Sequence, residues 1–592
     1  MKIKASDYIA KLLVENGIKN VFSVVGGGAM HLNDSFGNYP GLRVIYNHHE
    51  QGSAMAAEGY ARVNGVPAAV CVTTGPGGTN AITGVLCAWQ DNIPMLIISG
   101  QVRYNITVES TGLPLRQNGE QEHYIIDTVK SITKYAVMIK DPNMIRYHIE
   151  KALYYATHGR KGPCWLDVPL NIQGTTIETD SQVPFVPEPD EYNYSVKRVV
   201  DTLAAAKKPV LVVGSAVMSP EIHEKFLAFK EKLGIPVLSA TSITAVMPYW
   251  EKGYYGTFGV FGGRTGNFIV QNADCLLVMG CRMTFKHIGF NYESFSPLSK
   301  KIVVDVDVNE LKKNLLRIDV PVNADMSSFM DEISKQDINL SMDKEWIEYC
   351  DVLKERFPVY DDKYEKSEAV NPYYFAKVLR DALPEGAVRV LGNSCACVCV
   401  QQMGINKRGQ QLFTNVNCGT MGYDLPAALG AAIAAGHEVY CITGDGSIQM
   451  NIQELQTVIS NNIPVKIVIF NNNGYGAIVA TQSNFFGRLS GCTKESGLVC
   501  PSFEGLAKAY GYPYFRCEKN VGVPDAVKKL IAFDGPCICE LMIDGQGIEP
   551  KQKSKALPSG EFVTPPIYDL YPFLDDSVMK KYVDFETRAW RG

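Results

Sequence analysis

Gly444-Asp445-Gly446-Ser447 directly follows the apolar run 438–443 (EVYCIT), and Asn471-Asn472 directly follows the apolar run 464–470 (PVKIVIF). Asp445 offers a hard carboxylate oxygen and Asn472 an amide oxygen, donor types that suit Mg²⁺. Magnesium keeps few protein ligands and completes its shell with water and diphosphate oxygens. Gly444 and Gly446 let the backbone approach a phosphate, and a helix starting here aims its N–H groups at the anion. A lone G-D-G is an ordinary Gly-rich βα turn. G-D-G-S, helical spacing, a strand and then N-N is far more specific.

The elements that must position these residues are readable on either side. Both apolar runs read as buried strands. Residues 448–460 have helical spacing, with Ile448, Ile452, Leu455 and Ile459 on one face. Strand, helix, strand implies a right-handed crossover between parallel strands. Asp445 and Asn472 then meet at the carboxyl edge of one sheet, where such sheets bind ligands.

The same plan recurs along the chain. In a first unit, about 1–180, residues 21–25 read as a strand ending in Gly26-Gly27-Gly28. Residues 42–47 read as a strand ending in His48-His49-Glu50, and 68–74 as one running into Gly75-Pro76-Gly77-Gly78. A Pro- and acid-rich linker, 180–191, leads to a second unit, about 195–345, with strands at 209–214, 236–239, 275–280 and 301–307. A charged, weakly patterned stretch, 351–371, leads to the third unit, about 372–548. Residues 549–592 form a tail rich in Pro and aromatic residues. Alternating strands and helices with Gly-rich turns make this an α/β protein of three doubly wound parallel-sheet domains.

A length of 592 residues accommodates three or four ordinary domains. With 46% apolar and 20% charged residues the chain is globular rather than disordered. A net charge of −5 gives nucleic acid no basic partner. No run of 18 apolar residues exists, so no membrane span is expected. The N-terminus reads as an amphipathic helix ending at Gly17, not a signal peptide. Most of the 16 cysteines lie in apolar strands, as do Cys71, Cys275 and Cys441, which reads as a reduced, cytoplasmic protein. Cys395, Cys397 and Cys399 alternate. A strand would put all three on one face, for core packing or for a metal or redox role.

The G-D-G-S to N-N pattern resembles the thiamine diphosphate signature. The resemblance covers almost the whole chain and is to the acetolactate synthase and pyruvate oxidase branch of the thiamine diphosphate enzymes. It implies pyrimidine-binding, central and diphosphate-binding domains in that order, with thiamine diphosphate and Mg²⁺ as cofactors. It also implies a homodimer or homotetramer with active sites between subunits. In NHHEQGSAMAAEGYAR, Glu50 matches the Glu that hydrogen-bonds the cofactor's aminopyrimidine and promotes loss of the thiazolium C2 proton. Gly26, Gly75-Pro76-Gly77 and Asn80 match the pyrimidine side. Asn415 to Tyr423 (NVNCGTMGY) resembles the family's G-x-M-G-F segment. By that match Met421 wedges between the cofactor rings and the Gly419 carbonyl accepts from the amino group. Asn393, Ser394, Gly444, Gly446 and Ser447 match diphosphate contacts. Asp445, Asn472 and the Gly474 carbonyl match the magnesium ligands, with Tyr475 and Gly476 in the same cofactor loop.

The departures from the family fall on the substrate side. Gln121 matches an active-site Gln, but its neighbouring Phe is Glu120 here. A Trp that shapes the acceptor pocket is Thr481, and a Met in that loop is Ala477. Smaller side chains and an added charge argue against a second pyruvate as acceptor. The expected activity is acetolactate synthase-like: decarboxylation of pyruvate or a related 2-oxo acid, with transfer of the acyl unit to a carbonyl acceptor. Carboligation onto a keto-sugar and simple decarboxylation stay open. The branch often binds FAD in its central domain. Gly214, Arg282, Asp305 and Asp325 match flavin-lining positions in part, whereas the usual Asp-Asp is Thr284-Phe285, so flavin and a flavin-free domain both stay open. Two other classes compete. A Rossmann-type dehydrogenase would use Gly26-Gly27-Gly28, but no G-x-G-x-x-G with a ribose-binding acid stands there. A catalytically silent homologue predicts a broken Glu or metal motif, and both are intact.

Overall fold

The computed structural model describes residues 1–543, 547–556 and 561–583. Its frame is three six-stranded sheets, every neighbouring pair parallel. The first contains Asn20–Ser23, Arg43–Tyr46, Ala69–Val72, Met95–Gln101, Tyr135–Met138 and Pro163–Pro169. Numbered along the chain, these strands lie in the order 2-1-3-4-6-5. The third sheet, made of Val388–Leu391, Gln411–Phe413, Val439–Gly444, Val465–Asn471, Tyr514–Cys517 and Cys537–Met542, repeats that order. The central sheet, from Pro209–Val213 to Val320–Asn323, has the order 3-2-1-4-5-6. That is the dinucleotide-fold order, and it occurs in a different unit from the Gly26-Gly27-Gly28 turn. Helices on both faces explain why the inner strands are continuous apolar runs: Met95–Gln101 and Pro163–Pro169 are buried at every position.

Five helices carry or flank the candidate site residues. α1 is Glu50–Asn64, started by the His49 ring, whose Nδ1 accepts from the Gln51 N–H at 3.1 Å, and ended by Gly65 at φ +75°. α2 is Pro76–Asp91, α3 Cys395–Met403, α4 Asp424–Ala435 and α5 Gly476–Phe486. α1 and α4 cross antiparallel with their backbones in contact. A Cβ at Gly59 would fall 2.1 Å from the Ala427 carbonyl oxygen, and one at Gly430 1.8 Å from that of Ala56. Only glycine fits this approach. The seam, lined by buried Ala54, Ala57, Ala428 and Ala431, fuses the first and third units into one core.

One end of the seam holds a buried charge cluster. Arg62 Nη2 lies 2.5 Å from both Glu58 Oε1 and Asp91 Oδ2, and the Tyr423 hydroxyl donates to Glu58. Burial raises Glu58 above the ordinary carboxylate range against the opposing pull of Arg62.

Three local expectations change. Cys395, Cys397 and Cys399 lie on a helix, because the strand before them ends at Leu391 and Ser394 turns the chain. Cys395 and Cys399 are buried four residues apart, while Cys397 faces elsewhere. Among the described residues no group of three or more His, Cys, Asp or Glu could hold a metal. The 448–460 helix is broken into a 3-10 turn, Ile448–Asn451, and a helix, Glu454–Ser460. Asn451 has turned its side chain onto the Gly422 carbonyl at 2.7 Å. Part of the expected 351–371 linker is helical. Lys344–Arg356 is polar overall, but Trp346, Cys350 and Leu353 form a helical stripe buried in the central core. The tail contributes Ile567, Tyr568, Met579 and Val583 to that core. Among the described residues no helix is long and apolar enough to cross a membrane.

Candidate cofactor and active site

In an order of 2-1-3-4-6-5 the sheet reverses direction between strands 1 and 3, and ligands bind in the crevice at their carboxyl ends. In the third sheet those ends carry Asn393-Ser394 and Asp445, with Asn472 following strand 4. Asp445 Oδ1 accepts from the Gly446 N–H and Oδ2 from the Gly474 N–H, both at 2.9 Å. Burial pushes its carboxyl up to about 6 while these N–H groups oppose the rise. The two asparagines divide their work. Asn471 is structural: its Oδ1 accepts from the Asn473 N–H at 2.8 Å and its Nδ2 donates to Glu540 at 2.5 Å. Asn472 Oδ1 is buried without a partner, as is Ser394 Oγ. Buried polar oxygens are nearly always satisfied, so two orphans in one crevice call for a ligand. Nothing lies within 4 Å of a Cβ built at Gly444 or Gly419, so the backbone is open there. A hard carboxylate, an orphaned amide oxygen and open glycines fit a magnesium diphosphate.

Met421 joins this crevice. A Cβ on Gly446 would lie 3.4 Å from Met421 Cε and 2.3 Å from the Tyr475 ring. The Gly419 carbonyl accepts from Asn393 Nδ2 at 3.0 Å, and Gly476 opens α5. Ser447 is occupied: it donates to Asp424 Oδ2 at 2.6 Å and accepts from the Gly422 N–H at 2.9 Å. Its role is to clamp the Met421 loop to the start of α4. Asp424, fully buried, was missed by sequence reasoning; its only signal was an acid in a helix's first turn.

The first sheet gathers its residues at its own reversal point. Gly26 abuts Thr73, at 2.5 Å from a built Cβ, and Gly77 faces Glu50 Oε1 at 3.4 Å. Glu50 is buried at the N-terminus of α1, and its Oε2 accepts from Asn80 Nδ2 at 3.0 Å. Gly75 has φ +64°, and a Cβ there would fall 2.0 Å from the Gln121 carbonyl oxygen. Glycine at this turn, just before Pro76 opens α2, brings the loop of Glu120 and Gln121 alongside.

Among the described residues no hydrogen bond or ion pair joins Glu50 to Asp445. Glu50 stands eight residues, about 12 Å along α1, from Glu58, and it is Glu58 that touches Tyr423 beside the Met421 loop. Near Glu50 the same chain supplies Glu454 instead, accepting from Asn47 Nδ2 at 2.8 Å and from the His48 N–H at 3.2 Å.

The family models for the N-terminal TPP binding domain, the central domain and the C-terminal TPP binding domain of thiamine pyrophosphate enzymes match residues 3–129, 196–333 and 392–541. The chain belongs to the thiamine pyrophosphate enzyme family. Acetolactate synthase 2 of Nicotiana tabacum chloroplasts is 29% identical over 92% of this chain and 82% of its own length. The isozyme 1 large subunit of acetolactate synthase from Escherichia coli is 29% identical over 92% of this chain and 95% of its own. A probable acetolactate synthase 2 of Oryza sativa is 30% identical, covering 92% and 83%. This is a thiamine diphosphate-dependent, acetolactate synthase-like enzyme.

Within this thiamine pyrophosphate enzyme the substrate-side positions are open. Ala477 and Thr481 lie one turn apart on α5, where Thr481 Oγ1 donates to the Ala477 carbonyl at 3.0 Å. No residue of α5 is buried. Glu120 and Gln121 are exposed, and Gln121 sits at φ +59°. Their loop is held by Glu122, a second residue sequence reasoning missed. Its buried carboxylate accepts the N–H groups of Asn118 at 3.0 Å and Gly119 at 2.9 Å, and that of Val108.

The central-domain positions matched to a flavin site make contacts of their own. A Cβ on Gly214 would lie 2.0 Å from the Gly280 carbonyl oxygen. Asp325 caps a helix through the Ser328 N–H at 3.0 Å. Asp305, pushed up to about 6 by burial, accepts from the Asp307 N–H at 2.9 Å. The cavity beside Arg282 and Asp305 measures about 10 Å³ and is lined by Glu310 and Lys313, room for about one water.

Proposed function

We propose that this chain decarboxylates pyruvate or a related 2-oxo acid and joins the acyl unit to a carbonyl acceptor other than a second pyruvate. The observation that carries the reading is the contrast between an intact cofactor crevice and an altered, exposed acceptor side. Asp445, Asn472 and the Gly474 carbonyl hold Mg²⁺ in this reading, and Asn393, Ser394 and Gly444 face the diphosphate. Bound thiamine diphosphate supplies the electron sink that decarboxylation needs. The chain supplies the rest. Glu50 holds or releases a proton at a carboxylate oxygen, with Asn80 fixing its orientation. Met421 and Tyr475 wall the crevice against water, which strengthens electrostatics inside it.

The active site in this reading is shared by two copies. The support is that Glu50 of one chain bonds Asn80 of its own unit and, among the described residues, makes no hydrogen bond or ion pair with Asp445. A mixture of equal amounts of E50Q and D445A chains tests this. Random pairing into two-fold dimers should recover about a quarter of wild-type activity; a site built within one chain recovers none.

The primary test is product analysis with thiamine diphosphate, Mg²⁺ and pyruvate alone, then with aldehydes and keto-sugars added. Carboligation that requires the added acceptor supports the reading. Acetolactate formed from pyruvate alone at a full rate overturns the acceptor assignment. Aldehyde release regardless of acceptor favours simple decarboxylation.

A further inference from the structure

Two thiols meet where α2 passes beside the loop of Met421. Cys87 is buried on α2, and Cys418 is half-buried between Asn417 and Gly419. Side-chain contacts register loop against helix on both flanks. Asn415 Nδ2 donates to Cys87 Sγ at 3.2 Å, and Asn417 Nδ2 donates to Asp91 Oδ1 at 2.5 Å. Between these contacts Cys418 packs against the core cluster that contains Cys87. They belong to different units of the fold, joined there by nothing covalent.

The pair differs from the strand cysteines. Burial drives Cys71, Cys164 and Cys275 up to about 12 and keeps them inert. The neighbourhood of Cys87 instead brings Cys418 down to about 7 and raises Cys87. Cys418 is thereby the member of the pair favoured to ionise, with Cys87 packed beside it, the arrangement expected of a redox-sensing pair.

We propose that Cys87 and Cys418 are a redox modification site, at which a peroxide forms a disulfide that ties the loop 415–421 to α2. In the first step the Cys418 thiolate sulfur attacks a peroxide oxygen. The O–O bond breaks, one oxygen leaves as hydroxide, and Cys418 becomes a sulfenic acid. Cys87 sulfur then attacks the Cys418 sulfur; the S–S bond forms and the S–O bond breaks. The second hydroxide takes the Cys87 proton and leaves as water. Overall two thiols lose two electrons and two protons, and hydrogen peroxide is reduced to two waters. The cross-link stands one residue from Gly419 and three from Met421, so it draws the Gly419 carbonyl away from Asn393. Its effect on the cofactor rests on the proposed function; the covalent site does not.

The test treats the reduced full chain with one equivalent of hydrogen peroxide, alkylates free thiols, and maps the tryptic peptides by mass spectrometry. Fragmentation is needed because Cys71 shares a peptide with Cys87, and Cys441 with Cys418. The expected result is a Cys87–Cys418 link that dithiothreitol removes. In C87S the link is absent and Cys418 stops at the sulfenic acid, which dimedone traps. Sulfenic acid that persists at Cys418 of the wild type with no link, or links at other cysteines in its place, overturns the site. Calorimetric titration with thiamine diphosphate and Mg²⁺ reads the consequence. Oxidised protein should bind about tenfold more weakly, with recovery on reduction. Unchanged affinity in cross-linked protein overturns the effect on the loop. Protein that binds no cofactor in either state overturns the functional reading, while the mass spectrum decides the cross-link separately.

Discussion

The loops of Asp445 and Asn472 and helix α5 are neighbours in sequence and opposites in packing. Asp445, Asn471, Ser447 and Asp424 are buried and bonded before any cofactor arrives, whereas Asn472 Oδ1 and Ser394 Oγ are unsatisfied. α5 starts within four residues of Asn472, yet buries nothing; Phe486 is 68% exposed and Ile478 44%. The cofactor side is therefore preorganised by the chain itself, which is what electrostatic work on a charged group requires. α5 leaves its whole surface for another to cover. In the proposed function, cofactor chemistry and acceptor choice are held by separate pieces that can change independently.

The contrast breaks most sharply at Asp445. D445A should abolish Mg²⁺-dependent binding of thiamine diphosphate in calorimetry and lower turnover by about a thousandfold; dialysis of the wild type against a chelator should do the same. Retained binding would mean the metal sits elsewhere. E50Q should leave binding near wild type and slow turnover by at least about a hundredfold, the scale of a lost proton-transfer group. The two variants separate the halves of the crevice, one through affinity and the other through rate. R62M probes how firmly the cofactor side is set. It strands Glu58 and Asp91 without their shared cation, so chemical denaturation should register a loss of about 3–5 kcal/mol. A smaller loss would show that water reaches the cluster.

Legibility in the sequence divides along the same line. G-D-G-S and N-N were readable because a diphosphate and a hard cation place demands on backbone and donor type that spacing preserves. That Asn471 is tied into the sheet while Asn472 Oδ1 is left unpaired was not readable from type, since the two differ only in the direction the strand end aims them. The Ser447–Asp424 clamp joins residues 23 positions apart through a hydrogen bond no local pattern encodes. The α1–α4 seam was written in AAEGYA and PAALGAA, small residues whose purpose shows only when two backbones touch. Three parallel sheets were predictable from alternation, but strand order is non-local, and so the central order of 3-2-1-4-5-6 appeared only in the fold. The cysteine run misled because alternation over a few small residues satisfies a helix as well as a strand.

The smallest expected effect bears most directly on what the enzyme accepts. If Glu120, Ala477 and Thr481 enlarge and charge the acceptor pocket, then E120F, A477M and T481W together should shift the chain toward a second pyruvate. Each pocket contact discriminates by a modest factor, so about a tenfold gain in acetolactate from pyruvate alone is the expected scale. Cofactor affinity should not change, because α5 contributes no buried side chain to the metal loop. The measurement is the product ratio with pyruvate alone against pyruvate plus the preferred acceptor. A gain in acetolactate with matched loss on the other acceptor would show that these positions set the choice. Equal loss on both would mean that α5 closes over the crevice during turnover and that its bulk, not its pocket, is what the substitutions disturb.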